Sequence, residues 1–115
     1  MPGYRYTPKE FLDQPGLYGR RDDAAWDEKQ VRAAERSHVA AAYFQHLAAC
    51  TVLAKAQHAG HSLEVMAGRV GSTEDTLRRK LYGESPARLD EILAWALAYG
   101  IDVLPEPDDV DQLLP

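Results

Sequence analysis

Three consecutive cations, Arg78, Arg79 and Lys80, follow two carboxylates, Glu74 and Asp75, in the stretch STEDTLRRKLYGES, residues 72–85. Guanidinium and ammonium groups at this density suit a surface for phosphates and base edges, whereas two carboxylates at its start do not. Helical geometry resolves part of the conflict. With Leu77 and Leu81 on the buried line and about 100° per residue, the opposite stripe is Asp75, Arg79 and Tyr82, flanked by Thr76 and Arg78. Glu74 projects to the side, nearer the buried face. Both acids fall in the first turn, where negative charge suits the helix dipole, and Asp75 stands four residues before Arg79, an ion-pair spacing. A compatible reading has Asp75 accepting from cytosine N4 beside Arg79 on guanine. Phosphate repulsion would then weaken unspecific binding more than specific binding.

The other chemistry-bearing residues make poorer sites. His46, Cys50, His58 and His61 have metal-ligating side chains, but Cys50 and His58 are two helical turns apart and His61 follows a break, so no metal is expected. Cys50 beside His46 at i, i+4 lies mid-helix on an apolar face, away from any helix N-terminus that would favour a thiolate. It reads as a buried small hydrophobe. There is no glycine-rich phosphate loop and no catalytic carboxylate pair. Neither a cofactor nor an enzymatic activity is expected.

The elements that must position the cations are helical. After Gly60, Leu63, Met66, Ala67 and Val70 follow the i, i+3, i+4, i+7 spacing of an amphipathic helix, with Ser62 as N-cap and Gly71 as its left-handed stop. Thr73 caps the next helix and Gly83 stops it. Ser85-Pro86 opens a last helix that buries Leu89, Ile92, Leu93, Ala96 and Leu97 and ends at Gly100. Upstream, residues 22–59 contain no Gly or Pro. Capped by Asp22 or Asp23, this run would make about 36 residues of helix, about 54 Å long, or two helices joined by a bend. Its second half, with Val39, Tyr43, Leu47, Cys50, Leu53, Ala54 and Gln57 near one face, reads as core. Its first half is poorer in apolar residues and needs a partner. Residues 1–21 read as an arm folded back on the body through Tyr4, Tyr6, Phe11, Leu12, Leu17 and Tyr18, or as a partner-binding arm. Thr7-Pro8-Lys9-Glu10 has the form of a capping box. No run alternates with period two, so the fold class is all-α.

Residues 62–103, SLEVMAGRVGSTEDTLRRKLYGESPARLDEILAWALAYGIDV, resemble the Xre/Cro/lambda-repressor family of DNA-binding domains. The matching pattern is Met66-Ala67, Gly71, Thr73, Thr76-Leu77 and Gly83, with Leu97 to Val103 closing the last helix. The family's first helix would fall near Tyr43 to Ala59, so the resemblance covers about residues 43–103. It departs at Ser72, where a hydrophobic residue is usual, and at Leu63, where a polar phosphate contact is common. The resemblance implies a lambda-repressor-like helix-turn-helix bundle, here preceded by a long N-terminal helix over residues 22–42. It also implies a transcription regulator whose recognition helix, Thr73–Tyr82, lies in the major groove of double-stranded DNA. The DNA-binding residues would be Thr73, Asp75, Thr76, Arg78, Arg79 and Tyr82, with Ser85 and Arg88 on phosphate. A homodimer reading two half-sites is implied as well. Trp26, Val31 and Ala34 on the N-terminal helix are its expected dimer or partner interface.

Charge allows a second class of function. Residues 1–101 are neutral, and the net charge of −5 lies in Asp102, Glu106, Asp108, Asp109 and Asp111 of residues 102–115. Residues 62–101 carry five basic and six acidic side chains. Near-neutrality leaves room for a protein-interaction module, an antitoxin or adaptor that uses the same fold to hold a protein. The tail, 104–115, is extended by Pro105 and Pro107 and carries Val110, Leu113 and Leu114. It is either a solvated end or a strap whose carboxylates compete with phosphate. A single cysteine, no apolar leader and no long apolar span point to the cytoplasm and away from membranes.

Overall fold

The computed structural model describes residues 6–26 and 36–101. Four helices carry the body: α1 (Arg36–His58), α2 (Leu63–Val70), α3 (Glu74–Leu81) and α4 (Leu89–Tyr99). Two 3-10 turns, Pro8–Phe11 and Pro15–Leu17, precede them. Among the described residues there is no strand, only an antiparallel bridge between Leu12 and Trp26. The described residues are all-helical, as the patterning predicts, and no described helix is long and apolar enough to cross a membrane.

Local chemistry sets the boundaries of α2 and α3. The Ser62 hydroxyl accepts from the Val65 N–H at 3.2 Å, and that of Thr73 accepts from the Thr76 N–H at 3.2 Å. Each satisfies one of the donors a helix leaves open at its first turn. Gly71 ends α2 at φ 73°. In the arm, by contrast, Thr7 precedes the first 3-10 turn without a side-chain cap, so the expected capping box does not form.

Three expectations are corrected. No helix starts at Asp22 or Asp23. Residues 22–26 form a turn and the bridge, held by the Ala24 N–H on Arg21 O, the Asp13 N–H on Ala25 O and the Arg21–Asp23 ion pair. The proposed extension helix therefore lacks its first turns, and residues 27–35 of it lie outside the described ones. Second, α1 presents a different face to the core. Its buried residues are Ala42, Gln45, His46, Ala48, Ala49, Val52 and Ala56, while Tyr43, Ala54 and Gln57 are exposed. The alanines let neighbouring elements approach closely, and the two polar side chains are buried because each has hydrogen-bond partners across the core. Third, α4 begins at Leu89 and not at Ser85-Pro86, because the Ala87 N–H is taken by the Gln45 side chain at 2.8 Å. On α4, Ile92, Trp95 and Ala96 are buried, whereas Leu89, Leu93 and Leu97 are 63, 37 and 87 % exposed.

One main core unites the helices, built from Ala49, Val52, Ala56, Met66, Leu77, Leu81, Ile92 and Trp95 among others. The arm folds back on it, as its aromatic residues predict. Tyr18 is buried and its hydroxyl donates to Ala42 O at 2.6 Å. The approach is close at two glycines. A Cβ on Gly19 (φ 73°) would fall on the carbonyl oxygen of Leu81, and one on Gly83 (φ 75°) would lie 2.6–2.9 Å from the Tyr18 ring. Only glycine fits at either point.

Buried His46 joins arm to core. Its Nδ1 accepts from the Gly19 N–H at 2.9 Å, and its ring packs against Tyr18 and Trp26. Burial holds its pKa below the ordinary 6.5, so the folded chain keeps the ring neutral. The unfolded chain therefore binds more protons below pH 6.5, and the stabilisation from His46 is present above that pH and lost as pH falls through it towards the lower folded value. Thermal melts at about pH 7.5 and 5.5 should show a larger acid loss for the wild type than for His46→Gln, whose amide accepts the same bond without titrating. Equal losses would mean that His46 is protonated without cost in the folded chain.

Candidate nucleic-acid interface

Helix α3 presents its charged side to solvent because Leu77 and Leu81, 1 % and 0 % exposed, anchor the other side in the core. Thr73, Asp75, Thr76 and Arg79 are exposed, and Arg78 is half-buried. The Asp75 carboxylate bridges two guanidiniums, Arg78 at 2.7 Å and Arg79 at 2.9 Å, and Arg78 also reaches Glu84 at 3.1 Å. Hydrogen bonding from Arg78 holds the Asp75 carboxyl below the usual carboxylate range and, with Glu84, raises the Arg78 guanidinium above its own. The Asp75–Arg79 pair expected from the i, i+4 spacing is formed. The acid thus lies between the two cations and orients both.

Other expected site residues are placed differently. Tyr82 does not complete the outward stripe. It is half-buried, packs against the main core and carries the Arg20 guanidinium 4.4 Å over its ring. Ser85 is half-buried, and its carbonyl accepts from the Gln45 amide at 3.1 Å. Arg88 is exposed at the start of α4 and pairs with Asp90 at 3.0 Å. Lys80 leaves the basic run altogether to pair with Glu91 of α4, whose second oxygen accepts the Arg88 N–H at 2.8 Å. Leu63, at the start of α2, is half-buried against the core and offers no polar contact. Trp26 packs on Tyr43 and His46 of its own chain, ring centroids 5.1 and 5.8 Å apart, so it is engaged intramolecularly. Val31 and Ala34, the rest of the expected dimer surface, lie outside the described residues, as does the acidic tail.

The histidine and cysteine set does not converge. Cys50 Sγ is 3.8 Å from the His46 ring nitrogens, His58 is exposed, and His61 Nδ1 meets the Tyr99 hydroxyl at 3.1 Å. Burial pushes the Cys50 thiol up to about 11, the reverse of what a thiolate nucleophile needs.

Three contributors were not evident from sequence. Gln45, read there only as an interruption of an apolar window, is 1 % exposed and holds the end of α3 to the start of α4. Its amide donates to Lys80 O at 2.6 Å and Ser85 O at 3.1 Å, and its oxygen accepts from Ala87 N–H. Lys9 and Arg20 of the arm lie beside Arg78 and Tyr82. The adjoining pair Arg20-Arg21 was the available signal. No protein-family model, curated protein or solved structure matches the chain.

Proposed function

We propose that the chain is a cytoplasmic, sequence-specific DNA-binding regulator of the Xre/Cro type, with α3 read in the major groove. The observation that carries this reading is the pair of capped helices α2 and α3, joined through Gly71, whose second member buries Leu77 and Leu81 and exposes Asp75 and Arg79. Arg79 is the direct reader, bidentate on a guanine, with Asp75 holding its guanidinium in place or accepting from a neighbouring cytosine. Thr73, Thr76 and Arg78 flank it, and Arg88 takes a phosphate at the start of α4. The lambda-repressor-like arrangement belongs to the same proposal. So does a homodimer, with the exposed Leu89, Leu93 and Leu97 as its contact in place of Trp26.

Selection from random duplex DNA tests the reading. Wild-type protein should enrich one site, and Arg79→Ala should bind that site roughly 5- to 150-fold more weakly while relaxing preference at one base pair. A uniform loss over all sequences would make Arg79 a phosphate contact. No loss would remove α3 from the interface.

A protein-interaction module, antitoxin or adaptor is the second reading. It is favoured by Tyr43 and Val65, which are 40 and 46 % exposed on α1 and α2. Stoichiometric co-purification with one protein, together with no enriched DNA site, would select it.

A further inference from the structure

DNA phosphates require more cation than α3 carries. On its exposed side Arg78 and Arg79 stand beside Asp75 and Glu84, and ion pairs already engage both guanidiniums. Arg88 is likewise paired with Asp90. Taken alone, this face has as many carboxylates as cations, which weakens any attraction to a polyanion.

The arm reverses that balance at one place. The Lys9 backbone N–H donates to Gly83 O at 3.0 Å, which brings its side chain to the end of α3. The Arg20 guanidinium lies over the Tyr82 ring. Lys9, Arg20 and Arg78 line a single groove of about 250 Å³, where Glu84 is the one carboxylate. Among the described residues neither Lys9 nor Arg20 is paired with a carboxylate, in contrast to Arg21, which pairs with Asp23 at 2.9 Å. Other acids of the arm, Glu10, Asp13 and Asp22, are exposed and do not line the groove.

The arm is also held before any ligand arrives. The Tyr18 hydroxyl on Ala42 O, the Gly19 N–H on His46 and the close passages at Gly19 and Gly83 fix the backbone from which Arg20 projects. Stacking on Tyr82 leaves the guanidinium edge able to donate, and little ordering remains to be done on binding.

Building on the DNA-binding reading above, we infer that Lys9 and Arg20 bind the duplex backbone at two phosphodiester groups beside the base pairs read by α3. The arm is then part of the interface, and the cation surplus that the helices lack comes from it. The contact is sequence-independent: it adds affinity and salt dependence and leaves base preference to Arg79.

The test is the double variant Lys9→Gln, Arg20→Gln, titrated by fluorescence anisotropy onto the selected site and an unrelated duplex between about 50 and 300 mM salt. The slope of log K against log salt should become shallower by about 0.9 for each charge removed, equally on both duplexes. Affinity near 100 mM salt should fall at least about tenfold, with base preference intact. Arg20→Lys, which keeps the charge, should keep most of the slope. If the double variant melts early, Lys9→Gln alone, whose backbone bond to Gly83 survives, must still lose about one unit of slope. An unchanged slope, with Arg79→Ala still relaxing one base pair, would overturn the role of the arm and leave the DNA-binding reading standing. Wild-type protein that enriches no site would overturn that reading and the inference with it.

Discussion

Gln45→Met should destabilise the chain by about 2–4 kcal/mol, roughly 10 °C or more in Tm for a domain of this size. The substitution nearly conserves volume, so packing is not the cause. The three hydrogen bonds are. Without the amide, Ser85 O and the Ala87 N–H lose their side-chain partner, and Lys80 O keeps only a long contact, 3.4 Å, from the Gly83 N–H. A backbone group left unpaired costs about 1–3 kcal/mol when it stays out of water. Ser85 and Ala87 are half-buried, so partial rehydration offsets some of that. Gln45→Glu should be worse than Gln45→Met near neutral pH, because a carboxylate would face the two carbonyls that the amide now donates to. Urea unfolding monitored by circular dichroism measures both. Stability unchanged in Gln45→Met, or Gln45→Glu the milder of the two, would mean that these bonds contribute nothing net. For the proposed function the consequence is local: Gln45 sets where α3 ends and α4 begins, and a loosened junction should blur base preference before the fold is lost.

What could be read from sequence, and what could not, divides along the range of the interactions involved. Ser62, Thr73, Gly71 and Gly83 act on backbone within a few residues, so the limits of α2 and α3 were legible from residue type and spacing. So was the Asp75–Arg79 pair, which needs only one helical turn. Gln45 and His46 were not. Their burial depends on Lys80, Ser85 and Ala87 for one and on Gly19 for the other, partners from 27 to 42 residues away. Taking both as polar therefore turned the inferred core face of α1 by about one residue, or about 100°. The same dependence on distant partners moved the start of α4 and hid Lys9 and Arg20, whose place beside Arg78 exists only once Tyr18 has docked on Gly83. The failure at Asp22 has a different origin. A run without Gly or Pro permits a helix but does not compel one, and the bridge from Leu12 to Trp26 takes precedence.

Leu93→Glu and Leu97→Glu should give folded monomers whose affinity for a two-half-site operator is about a hundredfold or more lower. On α4 these leucines and Leu89 recur every four residues, on one side of an 11-residue helix. Leu93 stands midway between the other two. An antiparallel pairing of two copies about Leu93 would set Leu89 against the partner's Leu97 and each Leu93 against its equivalent, the self-complementary match that a two-fold axis requires. In the proposed homodimer this stripe would be the contact between the two copies. Leu97 is 87 % exposed, so its substitution removes little from the folded monomer, whereas Leu93, at 37 %, gives up part of its packing and should lower the melting temperature more. The loss appears in binding because a dimer engages its second half-site as an intramolecular event, an advantage of about 10²–10⁴ that a monomer forgoes. Half-site affinity should be unchanged, which separates this effect from damage to α3. Light scattering at the concentrations used for binding decides the matter. A wild-type dimer that persists in both variants would place the interface elsewhere, with Val31 and Ala34 of the N-terminal segment the next residues to change. A wild-type monomer that binds its selected site as a single copy would remove the two-half-site geometry altogether.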